Sequence, residues 1–189
     1  MVDWKDAKSF CAWLTDRERG FGLIGKHDQY RLPSDHEWSY AVGIGTLEKA
    51  QGLPDAKSEA IYPWGKQWPP PKGAGDYAGD ELLRAERTSP SGKTNTRVLS
   101  GYDDGFIHTA PVGNFPANRY GLYDMGGNVW QWCEDLLKED EQKRTRALRG
   151  GSWRIFDPIL LRSSYRNLAH PEDRSDDIGF RCVLVVSGG

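Results

Sequence analysis

Thiols, imidazoles and carboxylates are the side chains here that could do chemistry, and their spacing decides what chemistry is open. Cys11, Cys133 and Cys182 are too few and too scattered for a disulfide framework or a tetrahedral zinc site, and at most one pair can bridge. His27, His36, His108 and His170 are dispersed without ligand spacing, so solvated or locally bonded imidazoles are expected rather than metal ligands. Residues 154–170, Arg-Ile-Phe-Asp-Pro-Ile-Leu-Leu-Arg-Ser-Ser-Tyr-Arg-Asn-Leu-Ala-His, contain no cysteine and no cluster of nucleophile and base. The segment is enclosed by Arg149-Gly150-Gly151-Ser152-Trp153 on one side and Asp177-Ile178-Gly179-Phe180-Arg181-Cys182 on the other. It has neither helical nor alternating period and reads as a surface held in a frame.

The elements that must hold this frame are partly legible. Asp3 can cap a helix in which Ala7, Phe10, Cys11 and Leu14 form an apolar stripe, with Gly20 closing the region. Ser34 and Glu37 form an S-x-x-E capping box ahead of Trp38, Ala41 and Val42, and Gly43 stops that helix. From Gly45 to about Ser100 periodicity disappears, and a long excursion pinned by Trp64 and Trp68 is expected. A loop of that length needs an organiser, and a bound ion is one way to provide it. Short strands are expected at Val129 to Cys133, Thr145 to Leu148 and Phe180 to Val186.

Composition narrows the function classes. With 189 residues one domain, 1–189, is expected, and a net charge of −2 leaves no basic footprint for nucleic acid. Eight Trp, eight Tyr and 22 Gly describe a loop-rich domain with an aromatic core. No stretch has the form of a secretion signal or reaches membrane-spanning length, so no membrane insertion is expected, and the compartment stays open.

Five motifs in order are Tyr30-Arg31-Leu32-Pro33-Ser34-x-x-Glu37-Trp38, Tyr62-Pro63-Trp64-Gly65, Asn118-x-Tyr120 through Trp132, Arg149 through Trp153, and Gly179-Phe180-Arg181. Together they resemble the formylglycine-generating enzyme, or sulfatase-modifying factor, family over nearly the whole chain. The resemblance implies an α+β domain of that family's C-type lectin fold, with two short helices, a small twisted antiparallel sheet and extensive ordered loops. It also implies that Cys11 and Cys182 are neighbours, since the matching pair is adjacent in the family and disulfide-bonded in some members, while Cys133 has no matching role.

The family's oxidase binds copper through two cysteines placed after the Gly-Gly-Ser-aromatic motif, thiolates being soft ligands for Cu(I). Here those positions fall near Ile155 and near Pro158 to Leu160, and neither is cysteine. No copper is therefore expected. The related iron-dependent sulfoxide synthases draw histidines largely from a further domain and find no counterpart here.

The resemblance also implies structural calcium. One ligand set would be Gly79, Asp80, Asp104 and Phe106, and the other Asp124, Gly127, Val129 and Gln131, held by carbonyls and a few carboxylates. Gly79 stands where Asn is usual and Gln131 where Glu is usual; the second change removes a charge, although an amide oxygen can still coordinate. Alternatively Asp104 only caps the Asp103-Asp104-Gly105 turn, and Asp124 the Gly126-Gly127 turn.

Three functions follow from the resemblance. The first is a non-catalytic module that displays a variable surface, similar to the variable proteins of diversity-generating retroelements, whose variable segment lies in this frame. Adenine mutagenesis of Asn codons with a fixed third pyrimidine cannot produce Lys, Glu, Gln, Met or Trp, and residues 154–170 contain none of them. The contact segment would be 154–176, using Arg154, Ile155, Phe156, Asp157, Ile159, Leu160, Tyr165, Asn167, Leu168, Ala169 and His170 on a protein or cell-surface ligand, with a virion or cell surface as its place of work. In and around it Trp153 and Leu161 should pack inward and Phe156 and Tyr165 outward, while Arg162, Arg166 and Arg181 should hold the loops through salt bridges to Asp176 or Asp177. The alternatives are a formylglycine-generating oxidase and a regulatory or assembly domain of a longer protein. Oligomeric state is open, because an exposed patch could equally be an oligomer interface.

Overall fold

The computed structural model describes residues 1–51, 60–88, 97–136 and 144–187, side chains 49–51 excepted. Helix α1 (Trp4–Gly20) starts at Asp3, whose carboxylate accepts from the Asp6 amide while Asp6 answers through its own carboxylate. Its inward stripe is Ala7, Cys11 and Thr15, one residue round from expectation: Phe10 is 43% exposed and lies against Trp13 and Phe180 instead. Strand β1 (Gln29–Arg31) leads into α2 (Asp35–Val42), where the Ser34–Glu37 box and the left-handed Gly43 are as expected. Arg31 grips Glu37 through both guanidinium nitrogens, and this pairing holds the Glu37 carboxyl down at about 2.

The excursion holds two helices that the sequence reading missed, α3 (Gly45–Gln51) and α4 (Asp80–Thr88), so the described residues form four helices. Trp64 does pin it, stacked on Tyr62 at 4.8 Å and meeting Tyr77 edge-on; Trp68 is 40% exposed and lies against Tyr62 and Trp64.

The larger sheet runs in the order β4-β3-β2-β5, from β2 (Trp130–Leu136), β3 (Arg146–Arg149), β4 (Asn167–Ala169) and β5 (Ile178–Gly179). Pairing is antiparallel except for β2 with β5, which is parallel, so the sheet is mixed. Strand β6 (Val183–Val185) pairs with β1 in a separate two-stranded ribbon that ties the two ends of the fold together. The first four residues of β2 are all buried: Trp130 and Trp132 lie in the cluster with Ala7, Cys11 and Leu32, while Cys133 packs with Trp38 and Ala147. A strand covered on both faces shows no alternation, which is why this central strand left a weak signal. Among the described residues no helix is long and apolar enough to cross a membrane.

Cys11 and Cys182 meet with their sulfurs 3.4 Å apart, both as free thiols. A short approach of α1 and the β6 lead-in would bring them to bonding distance. Mild oxidation should therefore lower the thiol count in denaturant from the three free cysteines to one, Cys133. Closing so long a loop should raise stability by about 2–4 kcal/mol. Three thiols surviving oxidation would show that the pair is held apart.

Candidate functional site

The frame closes where its two ends meet. Gly150 and Gly151 both take positive φ, 96° and 79°, which lets the chain turn against the 126–128 loop. Gly127 donates to the Gly150 carbonyl and Trp153 to the Asn128 carbonyl, both at 2.9 Å. Ser152 donates to Asp177, and the Asp177 carbonyl accepts from Trp130, so both arms of the frame attach to β2.

Arg149 is fully buried and locks the segment from beneath. Its guanidinium lies 4.4 Å over the Trp38 ring, pairs with Asp35, bonds Ser39, and donates to the carbonyls of Ser163 and Tyr165 at 2.7 and 3.0 Å. Arg166 shares Asp35 at 2.8 Å and takes Glu48 of α3 at 2.9 Å. Arg166 is thus scaffold as expected, but its partners lie on α2 and α3. Asp176 instead pairs with Arg154, Asp177 accepts from Ser152 and Ser175, and Arg181 bonds the Met125 sulfur and the Tyr123 carbonyl. The expected links from Arg166 and Arg181 to Asp176 or Asp177 are not formed.

The eleven candidate contact residues divide. Trp153 and Leu161 pack inward as expected, and Ala169 is buried too, because its side of β4 faces the core. Ile155 is half-buried between two core clusters, Tyr165 packs beside Trp130, and Phe156 against the Tyr62–Tyr102 cluster, so Phe156 and Tyr165 are half-buried rather than turned out. The expectation failed because both rings have buried aromatic neighbours within reach, and packing against them removes apolar surface from water. Asp157 caps the Ile159 amide, Leu160 is half-buried, and Asn167 bonds the Leu168 amide. Arg154, Ile159, Leu168 and His170 are exposed, Ile159 at 55%.

Arg154 and Phe156 reach a common cavity. With Trp153 they line a cleft of about 620 Å³ whose other walls are Leu82, Ala85 and Glu86 of α4 and Arg97, Ile107 and His108. His108 meets the Trp153 ring edge-on at 4.7 Å, and the Arg154 guanidinium covers that ring at 4.5 Å. The sequence reading missed the α4 wall, although Asp80 and Glu81 in a first turn ahead of Leu82, Leu83 and Ala85 are a helix-start signal.

The thiols lie elsewhere and are muted. Burial pushes Cys133 and Cys182 up to about 12 and raises Cys11, so none offers a thiolate at neutral pH.

The first candidate cation set is acid-rich. Asp104 accepts from the Tyr77 and Phe106 amides at 2.9 Å, Asp80 accepts from Gly101, and the Gly79 amide is held by Glu81. Beside them Asp76 is 0% and Glu81 5% exposed, and Asp76 Oδ1 and Glu81 Oε2 have no hydrogen-bond donor. Burial and then the neighbouring Asp104 push Asp76 up to about 8; burial likewise pushes Glu81 to about 6 and raises Asp104. Such orphaned oxygens fit a cation. Among the described residues no three Asp, Glu, His or Cys side chains converge as a ready cluster, so backbone carbonyls would supply much of the coordination.

The second set is largely tied up in its own hydrogen bonds, although one buried oxygen of Asp124, Oδ1, has no donor. Gln131 Oε1 accepts from Trp38 Nε1 at 2.9 Å and Gln131 Nε2 donates to the Asp124 carbonyl at 2.7 Å. Asp124 accepts from Gly113 at 2.7 Å rather than capping Gly126-Gly127, while Gly127 is bonded to Gly150 and Val129 is half-buried.

The profile of the sulfatase-modifying factor enzyme 1-like domain matches residues 1–186. The chain belongs to that family. Among relatives, the inactive C-alpha-formylglycine-generating enzyme 2 of Bos taurus is 32% identical over 189 residues, covering 96% of this chain and 48% of its own length. The formylglycine-generating enzyme of Bos taurus is 30% identical over 196 residues, covering 96% and 42%. The chain thus spans about half the length of the curated relatives it matches, and family identity alone does not separate the active from the inactive member. The solved structure of Treponema denticola variable protein 1 superposes with a TM-score of 0.59 over 96% of this chain and 68% of that one, at 21% identity. That likeness establishes the shared fold.

Proposed function

We propose that this family member is a non-catalytic ligand-binding module whose contact surface centres on the Trp153–Phe156 cleft. The observation that carries the reading is Ile155: near the place where the resembling oxidases keep a copper-binding thiol, a half-buried branched side chain bridges two core clusters. The neighbouring cleft offers an aromatic and aliphatic floor with Arg97, His108 and Arg154 at its sides, a composition suited to an anchoring side chain and a polar rim. Ile159, Leu168 and His170 would extend the surface outside it. The fold shared with a variable protein supports a segment open to diversification. A near-copy of its coding sequence that differs only at adenines, next to a reverse transcriptase, would be the genomic mark of that origin.

A peptide library displayed on phage tests the reading: sequences enriched on the native protein should lose at least about tenfold in enrichment on the Arg154→Ala/Phe156→Ala variant. Equal enrichment on both removes the cleft from the proposal. Copper-dependent oxygen consumption with a Cys-x-Pro-x-Arg peptide would overturn the non-catalytic reading outright.

We further propose that the acid-rich set holds one structural calcium through Asp104 and neighbouring carbonyls, with the buried carboxylates of Asp76 and Glu81 facing its charge. A melting temperature equal in calcium and in chelator would remove it.

A further inference from the structure

We propose that the Asp124 turn takes no cation because the Gln131 side-chain amide has replaced one. The argument rests on which end of that amide points where. Trp38 is 0% exposed, and an indole N–H can only donate, so the group facing it at 2.9 Å must be the Gln131 oxygen. This fixes Gln131 Nε2 on the other side, where it donates to the Asp124 carbonyl at 2.7 Å. Gln131 itself is 4% exposed, so no solvent completes either bond.

The consequence for coordination is direct. A hard cation at this turn needs converging oxygen lone pairs. Position 131 presents an N–H instead, the positive end of the amide dipole, to the carbonyl of Asp124, a residue of the expected ligand set. Rotating the amide to offer its oxygen would leave the Trp38 N–H buried with no acceptor and set two donors against each other. Of the Asp124 carboxylate, one oxygen accepts from Gly113 and the other is buried without a donor, one open ligand where a hard cation needs several. The Arg181 guanidinium donates to the Tyr123 carbonyl at 2.7 Å, and the Asp124 carboxylate supports its charge against burial. Asp124 takes a left-handed φ of 52° and the following loop is tied down by Gly127 to Gly150, so the turn is held in shape by protein donors. The amide does a cation's structural work without a cation's concentration dependence.

A glutamate at 131 restores what the amide lacks: one oxygen for Trp38 and one for the turn. The experiment uses calcium chloride alone as probe and an Asp104→Asn background, which silences the acid-rich set. In that background the Gln131 protein should melt at the same temperature in millimolar calcium and in chelator. Gln131→Glu in the same background should melt several degrees lower in chelator and recover in calcium, with one ion bound per chain by calorimetry. A calcium-dependent shift in the Gln131 protein that disappears on Asp124→Asn overturns the proposal, and so does a Gln131→Glu protein indifferent to calcium. Should Gln131→Glu fail to fold, the Trp38 indole N–H resonance of the native protein decides: constancy through a calcium titration supports replacement, and a saturating shift lost in Asp124→Asn overturns it. Failure of the acid-rich calcium site would leave these outcomes unchanged, since that site is silenced throughout.

Discussion

Replacing Arg149 with Met is expected to lower the unfolding free energy by about 3–5 kcal/mol, the range for removing one partner of a buried ion pair. Arg149 is 0% exposed and serves two separate parts of the chain at once: Asp35 and Ser39 on α2, and the Ser163 and Tyr165 carbonyls of the C-terminal segment. Methionine fills the volume over the Trp38 ring but satisfies none of these acceptors. Asp35 keeps Arg166, which should hold the loss below complete unfolding. Lysine should recover little, because a single ammonium cannot reach four acceptors in a planar fork. Urea denaturation is the measurement, with a midpoint shift at constant m-value expected. A change within about 0.5 kcal/mol, the range of ordinary surface substitutions, would mean that the network is not under load.

Asp76→Asn is expected to act in the opposite direction in the presence of a chelator. Asp76 is 0% exposed, accepts from the Ala110 amide at 2.8 Å through one oxygen, and has no donor for the other. Its folded-state value of about 8 lies above the ordinary 3.8, so the folded protein binds this proton more tightly than the unfolded chain. Stability from this group is therefore full below pH about 4 and is lost as pH rises toward about 8. Asparagine keeps the bond to Ala110 and removes the charge. At pH 8 in chelator the variant should be more stable by about 2–4 kcal/mol, which discounts the full shift at about 1.36 kcal/mol per unit for relaxation. The native protein should melt higher at pH 6 than at pH 8, and the variant should lose that slope. Calcium should reverse the comparison if the buried carboxylates face an ion, since asparagine contributes no charge to it. A pH-independent native protein in chelator would show that the carboxylates are relieved by some other group.

The contrast between these two residues explains how much could be read in advance. The Asp3 cap and the Ser34–Glu37 capping box were legible, because both act within one turn of chain; the answering carboxylate of Asp6 emerged only in the structure. The Gly-Gly-Ser-Trp frame was legible as a motif, and its inward Trp153 and Leu161 followed from it. Helix α4 was obscured by the glycines before it, whereas the strand expected at Val129 to Cys133 is the start of β2, which runs on to Leu136. The partners of Arg166 were misjudged because nearness in sequence favoured Asp176 and Asp177, whereas its acceptors on α2 and α3 lie 131 and 118 residues away.

By itself, then, the sequence determined the family, the α+β architecture, the starts of α1 and α2 and the absence of cysteine near Ile155 and near Pro158 to Leu160, all of which depend on residue identity or on interactions a few residues apart. The tertiary structure alone decided which side chains of the 154–176 segment face outward, that Arg149 fastens it to α2, and that the Gln131 oxygen is committed to Trp38. Those outcomes depend on distant groups competing for one donor or one volume, and that competition is settled only when the chain is packed.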